Sequence, residues 1–181
     1  MTESHQPVAT ATLAGGCFWC LEAVFEQVRG VHSVISGYMG GVWNNPSYAD
    51  VCTGQSGHAE VVRISYDAAA VSYAQLLDIF FTIHDPTSLN RQGNDRGTQY
   101  RSAIFYHDDE QQKLAQGVIT HLQAQLAGSI VTEVVPAVQF YPAEAEHQHY
   151  FARHPEQAYC VHVVAPKVVK FEQHFPQWVQ A

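Results

Sequence analysis

The six residues Gly15-Gly16-Cys17-Phe18-Trp19-Cys20 close an apparent strand, residues 8–13, and open an apparent helix. Leu21, Val24, Phe25 and Val28 then recur at i, i+3, i+4 and i+7, the spacing of an amphipathic helix. The glycine pair lets the chain turn tightly, which predicts Cys17 in the first helical turn. There, free backbone N–H groups and the positive end of the helix dipole favour an anion and lower a thiol's pKa. A thiol at its ordinary pKa of ~8.5 is about 3% ionised at pH 7, whereas one lowered to near 7 is about half ionised, so the position predicts a nucleophile. Cys20, three residues on, shares that helix face and can reach Cys17. Phe18 and Trp19 place two rings beside the sulfur and suggest an apolar pocket.

A second candidate lies in the alternating run His58–Tyr66. Glu60, Val62, Ile64 and Tyr66 share one face of a strand, with Val61, Arg63 and Ser65 on the other. If the apolar face is buried, desolvation raises the pKa of Glu60 and keeps it protonated, ready to act as an acid. If not, Glu60 is a strand-end carboxylate facing water. Trp43, Tyr48 and Tyr100 each adjoin a glycine- or asparagine-rich loop. Cys52 reads as a small buried apolar residue.

The elements that must position these groups follow from periodicity and punctuation. After the helix at about 18–28, Val31–Met39 reads as a strand, residues 40–47 and 53–57 as loops, and 58–66 as a strand. Ser72 with Gln75 forms a capping box for a helix that stops near His84-Asp85-Pro86. Residues 85–98 form a long polar loop, a length that is uncommon without a function. A strand at 99–106, a helix at about 109–127 (Leu114, Val118, Leu122 and Leu126 on one face), a strand at 130–135 and a helix at 143–154 follow. The tail from about 156 is irregular, with one strand-like run at 160–164. The order β-α-β-β-α-β predicts an α+β fold: a ferredoxin-like split βαβ sandwich core with an added helix, strand and irregular C-terminal tail. All 181 residues read as one catalytic domain, with its core at about 8–155 and its tail at about 156–181.

Composition narrows the function. Hydrophobic residues make up 46% and charged residues 14%, a folded globule's balance. A net charge of -8 with no basic cluster disfavours nucleic acid and anionic membrane as partners. There is no apolar run of about 18 residues, and Met1–His5 lacks the basic start of a secretory signal, so the expected location is cytoplasmic. In a reducing compartment the four cysteines, Cys17, Cys20, Cys52 and Cys160, are catalytic, metal-binding or idle rather than structural disulfides. Neither His147 with His149 nor Cys160 with His162 has a zinc-site spacing, so no metal and no cofactor is expected. The competing class is a non-catalytic metal-binding or redox-sensing module built on these cysteines and the eleven histidines.

Gly16-Cys17-Phe18-Trp19, Gly57-His58-Ala59-Glu60, His84-Asp85-Pro86, Gln92-Gly93-Asn94-Asp95 and Gly97-Thr98-Gln99-Tyr100-Arg101-Ser102-Ala103-Ile104 together resemble the motifs of the A-type peptide methionine-sulfoxide reductases. The resemblance covers about residues 10–165. It implies reduction of methionine S-sulfoxide, free or in proteins, since A and B enzymes divide the two epimers. It also implies Cys17 as nucleophile, Glu60 as the acid for the sulfoxide oxygen, Tyr48 and Tyr100 as hydrogen-bond donors to that oxygen, Phe18 and Trp19 as the methyl pocket, and Asp95 as a polar pocket residue. A Cys17 sulfenic acid would be resolved to a disulfide by Cys160, the favoured partner, or by Cys20, and then reduced by thioredoxin, in a protein working as a monomer. The family's Tyr-His-Gln before the late helix reads Glu146-His147-Gln148 here.

Overall fold

Val8–Ala14 (β1) goes from exposed to buried along its length and enters the middle of a six-stranded sheet. The computed structural model describes residues 8–180; the Met1–His5 start lies outside them. In chain order β1 is followed by Phe18–Phe25 (α1), Val31–Met39 (β2), Tyr48–Cys52 (α2), Ala59–Asp67 (β3) and Tyr73–Ile83 (α3). A two-residue hairpin, Arg91–Gln92 (β4) and Asp95–Arg96 (β5), a turn at Thr98–Tyr100 and Ala103–Tyr106 (β6) come next. The chain ends with Asp109–Gln123 (α4), Glu133–Pro136 (β7), Tyr141–Pro142 (β8), Tyr150–Arg153 (α5) and Ala165–His174 (α6).

The sheet order is β7-β6-β1-β3-β2-β8. β3 pairs antiparallel with both β1 and β2, so β1 and β2 run parallel with β3 inserted between them, and β6 pairs antiparallel with the other side of β1. This is the split βαβ arrangement of the ferredoxin-like sandwich. β7 extends one edge parallel to β6, and β8 extends the other beside β2.

One face carries the main core. Phe18, Leu21, Val24 and Phe25 of α1, Leu76, Leu77 and Phe80 of α3, and Val164, Val168 and Phe171 at the α6 end pack on Leu13, Val62 and Ile64. The other face holds a smaller cluster, Ala14, Met39, Val61 and Phe105 under Phe140. The Ser72–Gln75 capping box starts α3, with each side chain bonded to the other's backbone N–H at 2.8 and 3.1 Å.

Several expected elements differ. The 143–154 helix is two short turns, because His149 takes a left-handed φ of 53° between them. Residues 160–164 form a π-turn running into α6 rather than a strand: burying Val164, Val168 and Phe171 at helical spacing outweighs the β propensity of Val161, Val163 and Val164. The tail is therefore ordered helix. It ends tied to the turn between α1 and β2, with the Arg29 N–H donating to the Trp178 carbonyl at 2.7 Å. The strand expected at 99–106 begins only at Ala103, leaving Tyr100 in a tight turn. α4 ends at Gln123 and buries Gln111 and Ala115, with Leu114 and Leu126 exposed.

Candidate active site

Cys17 ends the β1–α1 turn as the N-cap of α1, with extended backbone (φ -63°, ψ 130°), one residue ahead of the helix rather than within its first turn. The preceding Gly16 has φ 87°, and a Cβ there would lie 2.8 Å from the Gln92 side chain. That side chain in turn holds the backbone of Asp85, accepting from its N–H at 2.9 Å. The glycine thus lets the 85–96 loop close over the turn.

Glu60 comes to Cys17 across the sheet. β3 places it opposite Tyr38 of β2, on the face that α1 covers, and it is 1% exposed. Its Oε1 accepts the Phe18 N–H at 3.0 Å, the first free donor of α1, while its buried Oε2 has no hydrogen-bond partner among the described residues. Burial pushes its carboxyl up to about 8, against the Phe18 N–H, which favours the anion; Asp95 adds repulsion, and the neighbouring Cys17 thiol lowers it. The water-facing alternative for Glu60 is excluded.

The Cys17 thiol does not behave as the helix-start argument predicts. Burial pushes it well above the ordinary range, and the Glu60 and Cys20 charges add to that. The Trp19 N–H and Tyr159 hydroxyl pull the other way and are outweighed. Desolvation of the thiol of a residue that is 9% exposed exceeds the pull of a short helix's dipole, so the resting form is the thiol.

Around this pair stand the expected phenols. Tyr48, at the first position of α2, and Tyr100, in the 98–100 turn, both lie near enough to feel the Glu60 charge, and burial raises both phenols. Asp95 lies in the same field and accepts the Tyr159 hydroxyl at 2.6 Å. Phe18 is fully buried, 6.4 Å from the Tyr48 ring, and Trp19 stacks on Tyr150 at 3.7 Å. Trp43 lies apart: its carbonyl accepts His58 Nε2 at 2.7 Å and its ring is exposed.

Sequence reasoning missed Glu144, His147 and Tyr159 as parts of the wall. Glu144 accepts the Tyr38 hydroxyl and the Tyr48 N–H, each at 3.0 Å. Burial pushes Glu144 up, but these bonds outweigh it and hold its carboxyl low. The His147 ring lies 4.3 Å from that of Tyr48. Only the aromatic spacing around the late turns could have pointed to them. Cys52, expected buried, is exposed at the end of α2 and hydrogen-bonds the Tyr48 hydroxyl.

Cys20 is fully buried, one turn along α1 from Cys17, and its N–H donates to the Cys17 carbonyl at 3.1 Å. Tyr159 is within hydrogen-bond reach of both sulfurs. Cys160 is fully buried in the π-turn, with Tyr150 and Glu156 as electrostatic neighbours. Among the described residues, the two groups of side chains that could hold a cation, Glu22-Glu26-His149 and Glu144-Glu146-His147, contain none of the cysteines. Among the described residues, no helix is long and apolar enough to cross a membrane.

A buried thiol facing an uncharged acid, framed by phenols on a ferredoxin-like sheet, defines a thiol-based oxidoreductase. The chain belongs to the peptide methionine sulfoxide reductase family, whose description matches residues 9–179. It is 54% identical over 178 residues to the peptide methionine sulfoxide reductase MsrA of Polynucleobacter asymbioticus, covering 97% of this chain and 94% of that protein. It is 60% identical over 161 residues to the MsrA of Nautilia profundicola, covering 89% and 92%. Methionine sulfoxide reductase A of Corynebacterium diphtheriae has a similar structure, with a TM-score of 0.82 at 37% identity over 87% of this chain and 80% of that one. Mxr1 of Saccharomyces cerevisiae in complex with Trx2 gives a TM-score of 0.56 at 26% identity, over 83% and 89%.

Proposed function

We propose that this protein reduces methionine S-sulfoxide, free or in proteins, to methionine, with Cys17 as nucleophile and Glu60 as acid. The observation that carries the reading is Glu60 itself: buried, held protonated at neutral pH, with one oxygen that has no hydrogen-bond partner among the described residues, beside the Cys17 thiol. A sulfoxide oxygen leaves sulfur poorly unless protonated. Glu60 donates its proton to that oxygen, the Tyr48 and Tyr100 hydroxyls hydrogen-bond it, and Cys17 attacks sulfur while its own proton passes to the Glu60 carboxylate. The substrate's S–O bond and the newly formed Cys17–sulfur bond both break as the hydroxyl passes to Cys17, leaving a sulfenic acid; methionine is reduced, Cys17 is oxidised and the proton count is unchanged. Phe18 and Trp19 form the surface for the methyl group, and Asp95 binds the polar end of the substrate.

Cys20 resolves the sulfenic acid in this reading, in place of Cys160, the partner favoured from the sequence. Cys17, being an N-cap outside the helix, can rotate toward Cys20 without breaking a helical turn, and both sulfurs already share Tyr159. Cys160 would first have to leave its buried π-turn. Thioredoxin is the reductant, as the Mxr1–Trx2 complex suggests by similarity. One chain completes the site, consistent with a monomer, and the four free thiols suit the cytoplasm.

The test is a single turnover of methionine S-sulfoxide without reductant, followed by mass mapping of the disulfide. About one methionine per chain and a Cys17–Cys20 disulfide are expected. Methionine formation that survives Cys17→Ser overturns the nucleophile; a dominant Cys17–Cys160 disulfide overturns the resolving assignment.

A further inference from the structure

A cavity of about 750 Å³ opens between the 81–95 segment and α6. Three groups in its wall, Asp95, Tyr159 and Lys167, all interact with the Cys20 sulfur, which places that sulfur immediately behind the wall. Lys167 is aimed there by α6. Val164, Val168 and Phe171 form the buried stripe of the helix against α1, and Lys167 sits at the border of that stripe, half-buried, beside Pro166 in the first turn. The π-turn at 160–164 contributes to this aim. It carries one residue more than an α-turn, and each helical residue advances the face by about 100°. Nothing in the oxygen-removal step uses Lys167.

We infer that Lys167 is a positioning residue for the resolving step, its ammonium group stabilising Cys20 as the thiolate that attacks the Cys17 sulfenic acid. The inference rests on Cys20 being the resolver. In that step the Cys20 thiolate forms the S–S bond to Cys17, the Cys17 S–O bond breaks, and hydroxide leaves to take up a proton as water. Cys20 is oxidised, the sulfenic sulfur is reduced, and Lys167 keeps its charge throughout.

The groups facing Cys20 oppose one another. Burial raises its thiol, Lys167 through its charge and a side-chain hydrogen bond and Tyr159 through its hydroxyl lower it, and Asp95 raises it. Cys17 is the fourth group; it rests as the thiol and, once oxidised to sulfenic acid, it is likewise uncharged beside Cys20. Lys167 is thus the one cation among these groups. An opposite charge within about 4–6 Å shifts a pKa by about 1 unit or more. Below its pKa a thiol raised by one unit has a tenfold smaller thiolate fraction, and each thiolate is about threefold more nucleophilic, so attack slows about threefold.

The experiment uses the full chain with methionine S-sulfoxide and no reductant. Methionine release and disulfide formation are followed separately in wild type, Lys167→Met and Lys167→Arg. Lys167→Met is expected to release methionine at the wild-type rate, to form the disulfide at least about threefold more slowly at pH 7 with sulfenic acid trapped in the interval, and to recover as pH rises. Lys167→Arg is expected to restore the rate. An unchanged disulfide rate in Lys167→Met overturns the inference. Independently of which thiol resolves, alkylation of Cys20 in a Cys17→Ser background reads the same contact: its pH midpoint moves up by about one unit on adding Lys167→Met. No movement overturns the inference. Rapid disulfide formation in Cys20→Ser overturns only the resolving assignment on which it rests.

Discussion

At Glu60 one oxygen is tied to the Phe18 N–H and the other is left for the substrate, while burial keeps the proton on. The arrangement carries a stability cost. The carboxyl is raised from 4.5 to about 8, so the folded state binds this proton more tightly than the unfolded chain does. Its contribution is fully present below pH 4.5 and is lost as pH rises through about 8. Glu60→Gln therefore tracks wild type in thermal midpoint near pH 4.5 and becomes the more stable protein as pH rises, by about 3 kcal/mol at neutrality. The same variant loses the proton donor, and methionine release in a single turnover falls by about 10²-fold or more. A pH scan of melting temperature checks the first part and a rapid-quench assay the second. Wild-type methionine release is expected to decline above about pH 8, where Glu60 ionises. Cys17 supplies the companion prediction: with burial raising its thiol, alkylation of the resting enzyme is slow at pH 7 and accelerates steeply in the alkaline range.

The β1–α1 junction, the element on which the site turns, was legible because its signals are local. Glycines, an apolar helical stripe and a thiol at the boundary needed no knowledge of distant contacts, and the alternation around Glu60 and the Ser72–Gln75 box were equally plain. What was illegible depended on partners far along the chain. The run Cys160-Val161-His162-Val163-Val164 has strand propensity, and only the groove offered by α1 and α3 makes it helical. Cys17's acidity was misjudged because helix position can be read locally whereas desolvation by Phe18, Tyr159 and the aromatic wall cannot. Gly16 gives the test at this scale. A side chain there meets a positive φ and the Gln92 side chain together. Gly16→Ala is expected to cost at least ~1–2 kcal/mol, a fall in melting temperature of about 3–8 °C, with activity lost more than tenfold as the Cys17 turn shifts. Adding Gln92→Ala removes the Cγ contact but leaves the Cβ contact at 2.9 Å and the φ strain, so calorimetry of the double variant should show at most a small recovery.

Across the whole molecule, the chemistry divides between two bodies that meet at the start of α1. β2, β3 and the loops carrying Tyr48 and Tyr100 bring the acid and phenols to one side of Cys17. The 91–96 hairpin and the segment from Tyr159 into α6 bring Asp95, Tyr159 and Lys167 to Cys20, with Asp95 also felt by Glu60 and Tyr159 also bonded to Cys17. The second body is anchored at its far end, where the Gln180 side chain donates to the Val28 carbonyl at 2.7 Å and Val179 bridges Val28. Oxygen removal and thiol resolution should therefore fail separately. Cys20→Ser is expected to release one methionine per chain at the wild-type rate and then hold a trappable Cys17 sulfenic acid. Its turnover with thioredoxin should collapse, while dithiothreitol, small enough to reach Cys17 directly, sustains it. Trapping the sulfenic acid and comparing the two reductants measures the division. A Cys20→Ser enzyme that turns over with thioredoxin at the wild-type rate would overturn Cys20 as the resolver and pass the step to Cys160, which lies in the π-turn running into α6.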